Sequence, residues 1–199
     1  MIEIKRCFPS KPDPLYEKYH DQEWGKLNLD EKYLFEMLTL ESFQSGLSWA
    51  TILHKRENFQ QAFANWNYEQ VAKFEHDEFA QLMQNAGIVR NRRKIEATIN
   101  NAQALVNLHA KNKSLKQLCL QAVPEPIVKH PTYLADLPSS DSHSKNLARL
   151  LKKSGFRFVG PVTCYSFLEA VGLINDHADW CDFKYLSFLN ASTVLYISK

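Results

Sequence analysis

The sequence predicts an all-α fold. Three observations carry the prediction. Apolar residues recur at three- to four-residue spacing in one window after another, the repeat of a helix face. Helix-start and helix-stop residues bracket those windows. No run needs to be a strand, because none shows the bounded alternation that a half-buried strand displays. The pattern divides into about nine helices.

Asp13-Pro14 starts the first helix, with Asp as N-cap and Pro at the first helical position. Tyr16, Tyr19 and His20 then share one side. Gly25 ends this stretch. Asp30 caps a second helix, in which Leu34, Leu38 and Glu41 lie on or beside one face; Gly46 interrupts it, and helix resumes from Trp49 to Lys55. Phe59, Phe63 and Trp66 suit another amphipathic helix. Asn67 followed by Gln70 resembles a capping box that opens a short helix, with Val71 and Phe74 inward. Asp77 begins a helix with Phe79, Leu82, Met83 and Ala86 inward, and Gly87 stops it. Arg92 restarts helix, with Ile95, Ile99, Ala102 and Val106 as its buried face. Pro124, Pro126, Pro131 and Pro138 make 109–140 irregular, apart from one short helix over 115–122. Asp141 or Ser142 caps a helix with Leu147, Leu150 and Leu151 inward. Lys152 and Lys153 sit in its last turn and Gly155 ends it. Gly160-Pro161 opens the final helix, which Gly172 ends.

Size and composition set outer limits. A chain of 199 residues makes one large domain or two small ones sharing a core, and 45% apolar content fills such a core. A net charge of +2 gives no global basic field, so any nucleic-acid surface must come from local clustering. No apolar run is long enough to span a bilayer. The N-terminal Met-Ile-Glu-Ile-Lys-Arg has no hydrophobic signal region, so a cytoplasmic location is expected. Cys7, Cys119, Cys164 and Cys181 then read as thiols or metal ligands rather than a disulfide framework. Cys119 and Cys164 suit the core.

Three constellations could carry chemistry. The first surrounds Glu41. A carboxylate on an apolar helix must find a partner or keep a raised pKa. Ser42, Ser45, Gly46 and Ser48 leave room beside it, and Trp49 adds a flat ring, which together describe a pocket wall. Tyr16, Tyr19 and Trp24 are further aromatics able to stack on a base or attract a cation, although core packing suits Tyr16 and Trp24 better. The second is the helix–turn–helix over 77–108, with Gly87 in the turn and Arg90, Arg92, Arg93 and Lys94 around the second helix start. Such a hairpin can offer backbone N–H groups and the helix dipole to a phosphate, or be an ordinary hairpin with a solvated basic edge. The third is Cys7, His20, His177 and Cys181. His177 and Cys181 are four apart on one helical face, and Cys7 with His20 supplies a second pair. Two thiolates and two imidazoles would close a tetrahedral zinc site with no open position. Spacing alone does not bring the distant pairs together.

The blocks Asp13-Pro14-Leu15-Tyr16, Tyr19-His20-Asp21, Glu23-Trp24-Gly25, Leu47-Ser48-Trp49, Lys55-Arg56-Glu57-Asn58, Ala86-Gly87-Ile88, Lys94-Ile95, Gly155-Phe156 to Phe158-Val159-Gly160, Cys164-Tyr165-Ser166-Phe167 and Asn175-Asp176-His177, with Glu41 upstream of Leu47, follow a family order. Together they resemble bacterial DNA-3-methyladenine glycosylase I from about Cys7 to Cys181. The resemblance implies an all-α helix–hairpin–helix glycosylase fold, with residues 1–181 as one unit of two helical subdomains sharing a cleft. Both chain ends would lie in one subdomain, joined by a structural zinc on Cys7, His20, His177 and Cys181. It implies hydrolysis of the N-glycosidic bond of 3-methyladenine in double-stranded alkylated DNA, by a monomer, as the first step of base-excision repair. Glu41 is then the base-recognition and catalytic carboxylate, and Tyr19 and Trp49 bind the base. Gly46 and Leu47 enter the duplex, while Gly87, Arg90 and Lys94 hold its backbone. Two positions depart from the family pattern: Pro9, beside Phe8, where a tryptophan is frequent, and Arg93, where a glycine is common. A zinc-stapled DNA-binding module without activity is the alternative. Residues 182–199 lie outside the resemblance and carry no assigned role.

Overall fold

A computed structural model of the chain describes residues 4–7 and 13–184. Phe8, Pro9 and residues 185–199 of the tail lie outside the described residues. Ten α-helices are present among them, and their caps follow the sequence closely. α1 (Pro14–Gln22) begins at Asp13, whose carboxylate accepts from the amides of Leu15 and Tyr16. α2 (Glu31–Gln44) is capped by Asp30 on Tyr33 N. α3 (Trp49–Leu53) is capped by Ser48, and α4 (Arg56–Ala62) follows directly. A 3₁₀ turn at Ala64–Trp66 leads to α5 (Tyr68–Val71), capped by Asn67. α6 (His76–Gln84) and α7 (Arg92–His109) form the hairpin. α8 (Leu115–Ala122), α9 (Ser142–Lys153) and α10 (Pro161–Ala170) complete the set.

Several expectations change. His177 and Cys181 do not share a helical face, because residues 176–184 form turns and irregular segments. The helix from Trp49 stops at Leu53, and the run from Phe59 to Trp66 divides into α4 and the 3₁₀ turn. Three more concern α6, a strand pair and α2. α6 starts one residue before Asp77, because Glu75 and Glu78 form the capping box there. Ala86 lies beyond its end and is exposed. A parallel pair of two-residue strands, β1 (Ile127–Val128) and β2 (Ile174–Asn175), also occurs, with Ile127 opposite Ile174. Two residues per strand are too short to leave a sequence period.

The last change concerns α2. Instead of one apolar stripe, Leu34, Phe35 and every residue from Met37 to Phe43 is buried. A helix apolar on every side belongs in the middle of a core. α2 packs against α7 and the 3₁₀ turn on one flank and against α8 and α10 on another, with α9 behind the last two. Phe43, Phe59, Phe63 and Trp66 form an aromatic ladder beside it, with centroids 4.7 to 6.2 Å apart. Arg56 ties α4 to this centre through Glu36 and Glu23, at 2.7 Å each. α2 is therefore a fixed spine, and its C-terminal end is where the candidate site forms.

Candidate functional site: a buried acid, an aromatic cleft and a Cys/His cluster

A cleft of about 190 Å³ opens between α1, the end of α2, the start of α3 and α10. Its lining includes Tyr16 and Tyr19 from α1, Trp24, Glu41 and Gln44 from α2, Trp49, and Ser166 and Glu169 from α10. Helical spacing explains the sets. Glu41 and Gln44 are three apart, as are Tyr16 and Tyr19, and Ser166 and Glu169, so each pair shares a face.

Glu41 is only 5% exposed, and its Oε2 has no hydrogen-bond partner among the described residues. Burial pushes its carboxyl up to about 8. Trp49 Nε1 is the second unpartnered polar atom in the lining. An acceptor and a donor thus stand ready in one cleft, each destabilising the fold until a ligand or water engages it. The Tyr19 and Trp49 rings meet at 5.1 Å with a 48° tilt. Burial, then the Glu41 charge, holds the Tyr19 hydroxyl well above its ordinary value, so it remains a hydrogen-bond donor. The same two causes push Tyr16 up to about 12.

Behind the cleft, Cys7, His20, His177 and Cys181 converge, with their candidate ligand atoms within 4.8 Å of one another and all four residues buried. Sulfur–nitrogen distances are 3.6 Å for Cys7–His177, 3.4 Å for Cys181–His177 and 3.6 Å for Cys181–His20. The outer hydrogen bonds orient the rings. His20 Nδ1 is 2.8 Å from Asp21 Oδ1, and His177 Nε2 is 3.2 Å from Trp24 O. Both partners only accept, so those nitrogens carry the protons and the opposite nitrogens turn their lone pairs toward the cluster, where the Cys7 amide also lies 3.4 Å from His20 Nε2. That is the arrangement a bound cation requires of its imidazoles. The group can hold a metal ion. Gly25 makes the packing possible: its φ is +72°, and a Cβ there would meet the His177 ring at 3.1 Å. Trp24 joins the two features. Its ring packs on His177 at 4.5 Å and on His20 at 5.9 Å, while it also lines the cleft.

The turn between α2 and α3 carries Gly46 and Leu47. Gly46 has φ +83° with no neighbour near its Cβ position, and Leu47 is 42% exposed. Gly87 lies in the hairpin turn, where a Cβ would crowd Asn58 and Asn85, and Lys55 Nζ donates to the carbonyls of Ala86 and Gly87. Arg90, Arg92 and Arg93 are exposed. Lys94 differs from the sequence expectation. It is 6% exposed, and its ammonium donates to Phe43 O at 2.8 Å and Ser45 O at 2.6 Å. A lysine engaged by the last carbonyls of α2 is not available to a phosphate; it caps the helix that carries Glu41.

Residues 9–185 match the family model for methyladenine glycosylase. The chain belongs to the methyladenine glycosylase family. It is 43% identical over 179 residues to DNA-3-methyladenine glycosylase 1 of Escherichia coli (strain K12), covering 89% of this chain and 96% of that protein. It is 39% identical to DNA-3-methyladenine glycosylase of Haemophilus influenzae (strain ATCC 51907 / DSM 11121 / KW20 / Rd), over 90% of this chain and 97% of that one. Among solved structures, a 3-methyladenine DNA glycosylase I crystal structure superposes with a TM-score of 0.87 at 41% identity, covering 89% of this chain and 98% of that one. The Staphylococcus aureus 3-methyladenine DNA glycosylase I, whose structure concerns 3-methyladenine recognition, gives 0.83 at 38%, covering 87% and 93%.

Within this family fold, the cleft also uses residues that sequence reasoning set aside. Tyr16 and Trp24 suited the core, yet both line the cleft. Gln44 was visible in principle, one turn beyond Glu41. Ser166 belongs to the Cys164–Phe167 block but had no site role in the sequence, Glu169 and Leu137 had no signal of their own, and only the packing of α10 against α2 brings Ser166 and Glu169 to Glu41.

Proposed function

We propose that this chain releases 3-methyladenine from alkylated DNA by hydrolysing its N-glycosidic bond, which begins base-excision repair. The observation that carries this reading is Glu41: a buried carboxyl without a partner on Oε2, in an aromatic cleft, in a chain of the methyladenine glycosylase family. A 3-methylated adenine in DNA is a cation. When its glycosidic bond breaks, the bond electrons return to the base and neutralise it, so the leaving group needs no proton. Water adds to the sugar carbon and releases a proton. The site then has to extract the base, hold the cation and admit water. Glu41 is suited to holding the cation. In its ionised form it faces the positive ring, and that attraction is strong away from bulk water. Trp49 stacks on the base with a cation–π contribution, and Tyr19 donates to a ring edge. Neutral adenine gains little from this site. No aspartate base enters the mechanism.

The finer parts of the reading rest on physical fit. The Cys7, His20, His177 and Cys181 set suits zinc, because two thiolates and two imidazoles are zinc's preferred donors and four of them leave no open position. The ion's part is structural, holding both ends of the described chain together behind Trp24. Residues 1–181 act as one unit with a helix–hairpin–helix element. The 85–91 turn, with Gly87 and Arg90, holds the backbone of a double-stranded substrate, and Gly46-Leu47 enters it. The protein acts as a monomer in the cytoplasm. No helix among the described residues is long and apolar enough to cross a membrane.

The deciding experiment incubates the protein with methylated duplex DNA and identifies the released bases by chromatography. Release of 3-methyladenine, lost in Glu41→Gln, is the expected result. DNA binding without any base release would instead mean the inactive module.

A further inference from the structure

The loop between α9 and α10 is held in an unusual way. Phe158 has φ +57°, a left-handed conformation that disfavours residues with a Cβ. Its neighbours Phe156 and Val159 are buried at 3% and 1%, yet Phe158 itself is 39% exposed. The loop is not slack. Asn101 on α7 clamps Arg157 from both sides, accepting from its amide at 2.7 Å and donating to its carbonyl at 3.0 Å. Asn100 donates to Gly155 O at 2.8 Å. Ser42 Oγ, next to Glu41 on α2, lies 3.3 Å from Phe158 O. Strain kept by such contacts is a feature of functional sites, because relaxed alternatives are available to a loop that only connects.

Position gives the strain a use. Ser166 and Glu169 line the cleft from α10, and Val162 lies one turn before Ser166 on that face, exposed. Phe158 and Val162 therefore stand where the α10 wall reaches solvent. Leu47 stands where the α2–α3 wall does, between the cleft residues Gln44 and Trp49. Exposed cations surround the loop: Lys152, Lys153 and Arg157. Arg157 also borders a shallow depression with Arg92, at the start of α7, although Glu75 and Glu96 line it too and Arg92 pairs with Glu96 at 3.4 Å, so the positive charge beside Phe158 comes from the cations on the loop's own side. An exposed apolar ring beside Lys152, Lys153 and Arg157 suits duplex DNA, where phosphates meet the cations and an apolar side chain enters the base stack.

We propose that Phe158 is a second apolar side chain that enters the duplex, from the α10 rim of the cleft, opposite the Leu47 turn. It wedges the step beside the extracted base, and its rigid loop keeps the loss of conformational entropy on insertion small. This rests on the glycosylase reading above.

The test compares wild type, Phe158→Gly and Phe158→Leu for 3-methyladenine release from methylated duplex and methylated single-stranded DNA, with Tm measured for each. Phe158→Gly relieves the backbone strain, so its Tm is expected to stay level or rise. Its duplex release is expected to fall on the order of tenfold, because without a wedge the cost of unstacking the step is no longer offset. Release from single strands, which need no wedge, stays near wild type. Phe158→Leu keeps most of the duplex activity. Wild-type-like duplex release by Phe158→Gly overturns the proposal, as does an equal loss on both substrates, which would mean an altered cleft. A wild-type protein that releases no base overturns the glycosylase reading itself, a result distinct from either.

Discussion

In the proposed reaction, Glu41 supplies the charge that meets the base. With its pKa pushed up to about 8 by burial, it is largely neutral at pH 7 in the empty cleft, and in the proposed reaction a cationic base would draw it into the ionised form. Activity at limiting substrate is therefore expected to rise with pH and to level off above about 8, and the Glu41→Gln profile is expected to lack that limb. The variant's release rate should fall on the order of 10²-fold, the scale of losing one preorganised electrostatic group. Stability runs the other way. The folded-state pKa is raised above the ordinary value of 4.5, so folding binds a proton in that window and the protein loses stability as pH rises from 4.5 to 8. Glu41→Gln is expected to match wild type near pH 4 and to exceed it near pH 8, by roughly 2–5 kcal/mol. Denaturant titrations at the two pH values measure the difference.

At the scale of elements, α7 has two roles that the sequence merged into one. Its exposed start carries Arg92 and Arg93, while its buried face reaches α2 through Lys94 and the α9–α10 loop through Asn101. Lys94→Met leaves the carbonyls of Phe43 and Ser45 without their donor, at a cost of about 1–3 kcal/mol. It is expected to slow base release by loosening the turn at Gly46, while the salt dependence of DNA binding stays unchanged. Arg90→Ala is expected to do the opposite: wild-type stability, binding weakened equally for all sequences, and a log–log salt slope smaller by about 1. A smaller slope in Lys94→Met would return that residue to the phosphate contacts. The two residues are four apart and identical in charge, so the sequence offered no means of separating them. Burial separates them, and burial depends on where α2 ends.

For the whole molecule, the Cys/His cluster joins residues near both ends of the described chain and supports the cleft through Trp24. Metal analysis of purified protein is expected to give about one zinc per chain. Chelation should lower Tm and reduce base release together, since the ring that lines the cleft rests on two of the ligands. Asp21→Asn, which weakens the carboxylate behind His20, is expected to reduce metal affinity about 10–100-fold. A folded, active, metal-free protein would remove zinc from the reading.

Helix positions were legible because caps and breakers act locally. Asp13-Pro14, Asp30, Asn67, Asp141 and Gly160-Pro161 all mark helix starts, and each works through its own backbone neighbours. Asp77 missed the start of α6 by one residue, where a glutamate capping box prevails. Glu41, Tyr19 and Trp49 were legible as a constellation because their residue types and order match a family. Other features had no local signal: the burial of α2 on every side, the meeting of Cys7 with Cys181, the cleft faces of Tyr16, Trp24, Ser166 and Glu169, and the inward turn of Lys94. By itself, then, the sequence determined which segments are helical and which chemical groups the chain possesses. Only the tertiary structure decided which of those groups share a cleft and which are buried. Capping acts within the first and last turns of a helix, whereas desolvation depends on every element that packs around an atom.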